Sequence, residues 1–221
     1  WKACAACQAV MRREGLANEE ELQGWFLRRI AAHVSSRGRT IIGWDEVLEG
    51  RFAPGAIVQS WRDSSFTRKA AERGHRVIAS PNEWVYLNRQ AGELTLEQVY
   101  AFDPVPKGLA AGEQHRVLGS EVTFWSEHIT SGTNLALMAL PRLLAFADVV
   151  WGAAPRDLTA LQLRIDGDHR ARLGGMEFVM GPGARALPRI VITFDSVTRQ
   201  ARWQLTDTLA GLGVHATFDG S

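Results

Sequence analysis

The sequence predicts an α/β fold built on a parallel sheet. Apolar runs at residues 40–44, 56–61, 76–81 and 116–121 are each short and bounded by turn residues, as buried strands are. Helix-like segments alternate with them, the arrangement of parallel β/α architecture. The carboxyl ends of these runs also deliver polar and aromatic side chains: Trp44-Asp45-Glu46, Ser60-Trp61-Arg62, Asn82 through Asn88, and Trp125-Ser126-Glu127. That end is where parallel sheets bind ligands, in barrels and doubly wound folds alike.

In chain order, residues 1–36 have helical periodicity with a break at Gly15. A second helix is capped near Asn18, with Glu21 at the capping-box position. Its expected apolar face is Leu22, Trp25, Phe26, Ile30 and Ala31 or His33, which makes Trp25 a core residue. A helix over 65–73 ends at Gly74. One strongly helical stretch covers 134–151, with Leu135, Met138, Ala139, Leu143, Phe146 and Val150 on a broad apolar face. Another helix is expected over 164–178, interrupted at Gly174-Gly175, and Gly181-Pro182-Gly183 breaks the chain. Alternating strands then follow at 189–194, 202–205 and 214–218. The expected organisation is a domain at 1–180 and a β-rich appendage at 181–221, cut before its last partner strand. The stretch 90–113 is longer than most connections and is expected to be a site-shaping loop.

Composition narrows the function. The chain of 221 residues is 46% hydrophobic and 22% charged, ordinary for a globular protein, and its formal charge is +1 with both signs mixed along it. Nothing in that balance attracts nucleic acid or an anionic membrane, so neither is expected as a partner. No apolar stretch reaches the roughly 18 to 20 residues of a spanning helix. Cys4 and Cys7 form the only cysteine motif, and no second ligand pair follows at zinc-finger spacing, so they read as small residues at a helix start rather than a metal site. The compartment stays open, with periplasmic or extracellular favoured over cytoplasmic.

Eight Trp stand against two Tyr. An indole offers a flat apolar face and one polar handle, which suits the C–H face of a sugar. Most single Trp fill cores, and Trp84 and Trp151 are expected to pack. Trp44, Trp61 and Trp125 instead sit at strand ends, where core filling alone would not gather them. Asp45 and Glu46 follow Trp44; strand neighbours point to opposite faces, so at most one would enter a pocket, and both read as supporting residues. His33, His75, His128 and His169 lack partners at catalytic or metal spacing and read as surface or loop-anchoring groups.

Gly43-Trp44-Asp45-Glu46-Val47-Leu48-Glu49-Gly50, Ser60-Trp61-Arg62, Ser80-Pro81-Asn82, Tyr86-Leu87-Asn88, Tyr100 with Phe102-Asp103-Pro104-Val105-Pro106, Leu118-Gly119, Trp125-Ser126-Glu127 and Ala139-Leu140-Pro141-Arg142-Leu143-Leu144-Ala145 occur in that order. This succession resembles the family 20 glycoside hydrolases, β-N-acetylhexosaminidases, through about residue 178.

The resemblance implies strands five to eight of a (β/α)8 TIM barrel, incomplete in this chain, with a small β-rich tail. It implies a retaining exo-β-N-acetylhexosaminidase in which the substrate's own acetamido oxygen attacks the anomeric carbon, so that no protein nucleophile and no cofactor is needed. The family's acid belongs to a His-x-Gly-Gly-Asp-Glu motif, which is expected just upstream of Trp1. Trp44, Trp61 and Trp125 would wall the pocket, Tyr86 would hydrogen-bond the acetamido oxygen, and Asn88 and Glu127 would hold outer hydroxyls. The implied partners are an N-acetylhexosaminide glycan or chitooligosaccharide and the missing N-terminal half of the barrel. Two departures stand out: Asn88 where many relatives have Asp, which exchanges a pure acceptor for an amide, and Glu121 where a neutral Gln is common. The alternative is a non-catalytic carbohydrate-binding or scaffold protein on a truncated barrel. A glycosidase with a protein nucleophile would have Glu127 as its only candidate.

Overall fold

The computed structural model describes residues 1–50, 52–153, 155–181, 189–195 and 198–206. It divides into two compact units, one formed by residues 1–86 and 102–124, the other by 87–101 and 125–221.

The first unit opens with helices α1 (Ala5–Glu14) and α2 (Glu19–Ser36). Gly15 ends α1 at φ 67°, a left-handed cap that costs glycine little. Asn18 caps α2 by accepting the Glu21 N–H at 2.9 Å. The Glu21 carboxylate reaches back to the N–H of Ala17, one residue before the position a capping box uses.

Four strands follow, β1 (Ile42–Trp44), β2 (Ile57–Ser60), β3 (Arg76–Ala79) and β4 (Val117–Ser120), paired in parallel in the order β1-β2-β3-β4. All four expected strands are present, and the order does not reverse as it does in a doubly wound sheet. Helix α3 (Ser64–Glu72) follows β2, with Gly74 at φ 84° turning the chain into β3. In register, Gly43, Val58 and Val77 lie side by side. Val58 and Val77 are fully buried in a core with Val47, Leu48, Phe52, Ala70, Ala71 and Leu109, against which Leu27 of α2 packs. Gly43 leaves room there, since a Cβ on it would lie 2.7 Å from Val47 Cγ1. On the alternate positions, Gln59 Nε2 donates to Ser80 Oγ and to Glu121, each at 3.2 Å. Glu121 therefore has a structural partner.

The buried face of α2 is Leu22, Gly24 and Ala31, while Phe26 and Ile30 are exposed and Trp25 is half-buried beneath the Arg29 guanidinium. The expected face is thus rotated. Gly24 explains the rotation, because Gly50 sits against it: a Cβ on Gly50 would fall 2.5 Å from Glu20 O and 3.2 Å from Gly24 Cα.

Within the stretch 90–113 expected as a loop, a helix in the second unit, α5 (Leu96–Ala101), buries Leu96, Val99 and Tyr100. The short helix before it in the chain, α4 (Asn82–Val85), belongs to the first unit. The stretch expected as one helix over 134–151 is two, α6 (Gly132–Ala139) and α7 (Arg142–Trp151), bent by 51°. Pro141 has no N–H to continue the ladder. The bend resets the helical phase, so the buried positions are Ala136, Ala139, Arg142, Ala145, Phe146 and Val149, and Leu135 is exposed. Trp151, expected to pack, is 87% exposed at the end of α7. The helix expected at 164–178 starts earlier and runs as α8 (Leu158–Arg164), a π turn (Ile165–His169) and α9 (Arg170–Gly175). Strands β5 (Arg189–Asp195) and β6 (Gln200–Thr206) pair antiparallel, as the alternation suggests. The third expected tail strand lies outside the described residues.

Among the described residues no single helix is long and apolar enough to cross a membrane, and no cluster of His, Cys, Asp or Glu is arranged to hold a metal ion.

Candidate active site

The carboxyl ends of β1 and β2 are locked together by two consecutive carboxylates. After Trp44 the chain leaves the strand as a 3-10 turn, Asp45–Leu48. Neighbours in such a turn need not point to opposite faces, and Asp45 and Glu46 both reach the Trp61-Arg62 segment. Asp45 is fully buried. Its Oδ2 accepts the N–H of Trp61 at 2.7 Å and of Arg62 at 3.1 Å, and its Oδ1 accepts Arg62 Nε at 2.5 Å. Glu46 Oε1 accepts the indole Nε1–H of Trp61 at 2.9 Å.

Arg62 is held from several sides. Its guanidinium lies 3.9 Å over the Phe66 ring and pairs with Glu49 at 2.9 Å. Burial draws its pKa down, but the hydrogen bonds it donates to Asp45 and Glu49 carry it above the ordinary value, so it stays a cation. Its carbonyl accepts Asn82 Nδ2 at 2.6 Å, and the Asn82 N–H binds Trp61 O at 2.7 Å. Asn82 thereby ties the end of β3 to the end of β2.

Tyr86 arrives after α4 rather than at the end of β3. Its backbone bridges in parallel to Thr123, and its ring centroid lies 6.4 Å from that of Trp61 at an interplanar angle of 32°. Trp44 on β1 is aligned with Gln59 on β2, two residues before Trp61. Trp44, Trp61 and Tyr86 thus belong to one unit, and Trp61 and Tyr86 lie side by side. Trp84, as expected, packs: it stacks on Phe102 with centroids 6.4 Å apart.

Asn88, Trp125 and Glu127 belong to the second unit. Trp125 and Glu127 do not terminate a strand, since β4 stops at Ser120 and Trp125 leads instead into a 3-10 turn, Ser126–His128, where both are exposed. Asn88 follows a segment braced by Arg142, a residue that sequence reasoning gave no role. Arg142 is buried and donates to the carbonyls of Leu87 and Arg89, which flank Asn88, each at 2.8 Å, and to Leu94 O at 2.9 Å and Met138 O. Burial lowers its pKa to about 10, which leaves it charged at neutral pH. The Oδ1 of Asn88 is buried with no protein hydrogen-bond donor. Tyr100, expected on a site loop, is structural: its hydroxyl donates to Asp148 at 3.1 Å and accepts the Asp157 N–H at 3.0 Å. Burial and Asp148 hold that hydroxyl protonated to higher pH than usual.

Residues 1–154 match the family model described as glycosyl hydrolase family 20, catalytic domain. The chain belongs to this family. It is 38% identical over 179 residues to a β-hexosaminidase of Porphyromonas gingivalis, an alignment that covers 75% of this chain and 23% of that protein. It is 28% identical to a β-hexosaminidase of Vibrio furnissii, with 66% and 26% covered. The solved family 20 exo-β-N-acetylglucosaminidase of Vibrio harveyi in complex with N-acetylglucosamine superposes with a TM-score of 0.75 at 27% identity, over 81% of this chain and 30% of that one. The chain therefore spans about a quarter of the length of these curated relatives, and the α/β fold with its parallel sheet is the family's.

Proposed function

We propose that this chain is the second half of the catalytic barrel of a retaining exo-β-N-acetylhexosaminidase, acting on terminal N-acetylhexosamine of a glycan or chitooligosaccharide. In this reading β1 to β4 are barrel strands five to eight, residues 1–180 belong to the barrel and 181–221 form an appendage. The catalytic Asp-Glu pair lies upstream and the N-terminal half of the barrel completes the fold. Family membership and the N-acetylglucosamine held by the Vibrio harveyi relative support the substrate class. Ile42 and Leu118, on β1 and β4, are each 50% exposed, which supports a further layer of protein over them.

The observation that carries the reading is the indole of Trp61, fixed at its one polar atom by Glu46 and set beside Tyr86. Substrate assistance requires the 2-acetamido group to fold beneath the sugar ring, and rigid flat walls favour that single conformer. Trp44 and Trp61 supply such walls, and the family resemblance assigns Trp125 the same part. The Tyr86 phenol is a neutral donor suited to the acetamido oxygen, whose interactions strengthen as the oxazolinium forms. Asn88, with its unsatisfied Oδ1, and Glu127 accept from sugar hydroxyls. The upstream acid protonates the leaving oxygen.

The test is hydrolysis of an aryl N-acetyl-β-glucosaminide by the complete gene product, with the anomer of the released sugar read by NMR. Turnover with retention is expected, and Tyr86→Phe lowers kcat by about 10²-fold. No turnover between about pH 4 and about pH 8, with inhibitor binding retained, would replace the enzyme with a carbohydrate-binding protein.

A further inference from the structure

The glycosidase reading gives no role to the Cys4-x-x-Cys7 motif. Cys4 is the N-cap of α1, a ten-residue helix, with extended backbone at φ −91° and ψ 109°. Its sulfur accepts the backbone N–H of Cys7 at 3.4 Å, which sets Cys7 one helical turn on from Cys4. Both cysteines are free, Cys4 exposed and Cys7 partly covered. Two free thiols in the first turn of a helix, one exposed and one partly covered, with the backbone N–H of the second on the sulfur of the first, form the arrangement used for thiol–disulfide exchange.

We propose that Cys4 and Cys7 are a reversible redox pair, oxidised to an intramolecular disulfide by low-molecular-weight disulfides, with Cys4 the attacking thiol and Cys7 the resolving one. The Cys4 thiolate attacks one sulfur of glutathione disulfide. That S–S bond breaks, one glutathione thiolate leaves, and a mixed disulfide forms on Cys4. Cys7 then gives up its proton and attacks the Cys4 sulfur, releasing the second glutathione. The two protein thiols are oxidised and one glutathione disulfide is reduced to two glutathiones.

The order of attack follows from the local chemistry. Hydrogen bonds from the Cys7 thiol and then the Cys7 N–H pull the Cys4 thiol below its usual range, whereas donating to Cys4, and then burial, push Cys7 above it. Aligned peptide dipoles at the start of α1 favour the same thiolate. A crosslink within one helical turn closes a loop too short to constrain the unfolded chain much. The pair therefore serves exchange rather than bracing.

The experiment equilibrates the complete gene product in glutathione redox buffers, quenches with an alkylating reagent, and weighs the peptide of residues 3–12. Two alkyl groups are expected under reducing conditions, and none, with no glutathione retained, under oxidising ones. Cys7→Ser is expected to trap one glutathione, and Cys4→Ser to react at least about tenfold more slowly near pH 7. The proposal is overturned if the wild-type peptide keeps two alkylatable thiols throughout, if it retains glutathione as the end product, or if Cys4→Ser reacts as fast as Cys7→Ser. Glycosidase activity does not enter the readout, so the two readings stand or fall separately.

Discussion

At the scale of single residues, Asp45 and Glu46 do different work on the same neighbour. Asp45 is buried and satisfies three donors, on Trp61 and Arg62. Asp45→Ala leaves those donors unmet in the interior and is expected to cost about 3 kcal/mol, measurable as a lowered urea midpoint of the complete gene product at unchanged slope. Glu46 acts through the indole alone. Glu46→Ala frees Trp61 to rotate; KM for an aryl N-acetyl-β-glucosaminide should rise about tenfold, while Glu46→Gln, which keeps an acceptor oxygen, stays close to wild type. If Ala and Gln variants are equally impaired, the charge of Glu46 matters and the positioning account fails.

At the scale of elements, the approach of α2 to the chain after β1 rests on two glycines. A Cβ on Gly50 would meet the Glu20 carbonyl at 2.5 Å, a backbone atom that cannot swing aside. Gly50→Ala is therefore expected to lower stability by about 1 to 3 kcal/mol, with the thermal midpoint as the measure. In the second unit, Arg142 joins α7 to the segment that carries Asn88 through carbonyls at Leu87, Arg89 and Leu94. Arg142→Met fills similar volume but strands those acceptors. The expected result is a loss of about 3 kcal/mol and faster amide exchange confined first to residues 87–101, since the chain there loses its anchor before the rest unfolds. Uniform exchange across α7 and the strands would contradict that order.

At the scale of the whole molecule, a parallel sheet whose outer strands β1 and β4 each pair on one side among the described residues presents open backbone edges. Together with half-exposed Ile42 and Leu118, this leads to the expectation that residues 1–221 expressed alone show no cooperative melt, whereas the complete gene product does. A sharp, monomeric transition of the 221 residues would contradict the missing half of the barrel.

Strand positions, the cap at Asn18 and the ordered aromatic blocks were legible in the sequence because burial, turn chemistry and N-capping are local. A run such as Ile57–Ser60 declares itself without knowing its neighbours, and family membership followed from residues in order. The rotated face of α2, the break at Pro141 within an otherwise helical pattern, and the exposure of Trp151 were decided by packing. Apolar periodicity says that a face is buried but not against what. The roles of Asp45, Arg62, Asn82 and Arg142 were likewise invisible, because each depends on a hydrogen bond to chain sixteen or more residues away. The sequence by itself determined the strands, the longer helices and the family. Tertiary structure alone decided which polar groups hold Trp61 and Asn88 in place, since a buried carboxylate or guanidinium is tolerated only where distant backbone comes to meet it.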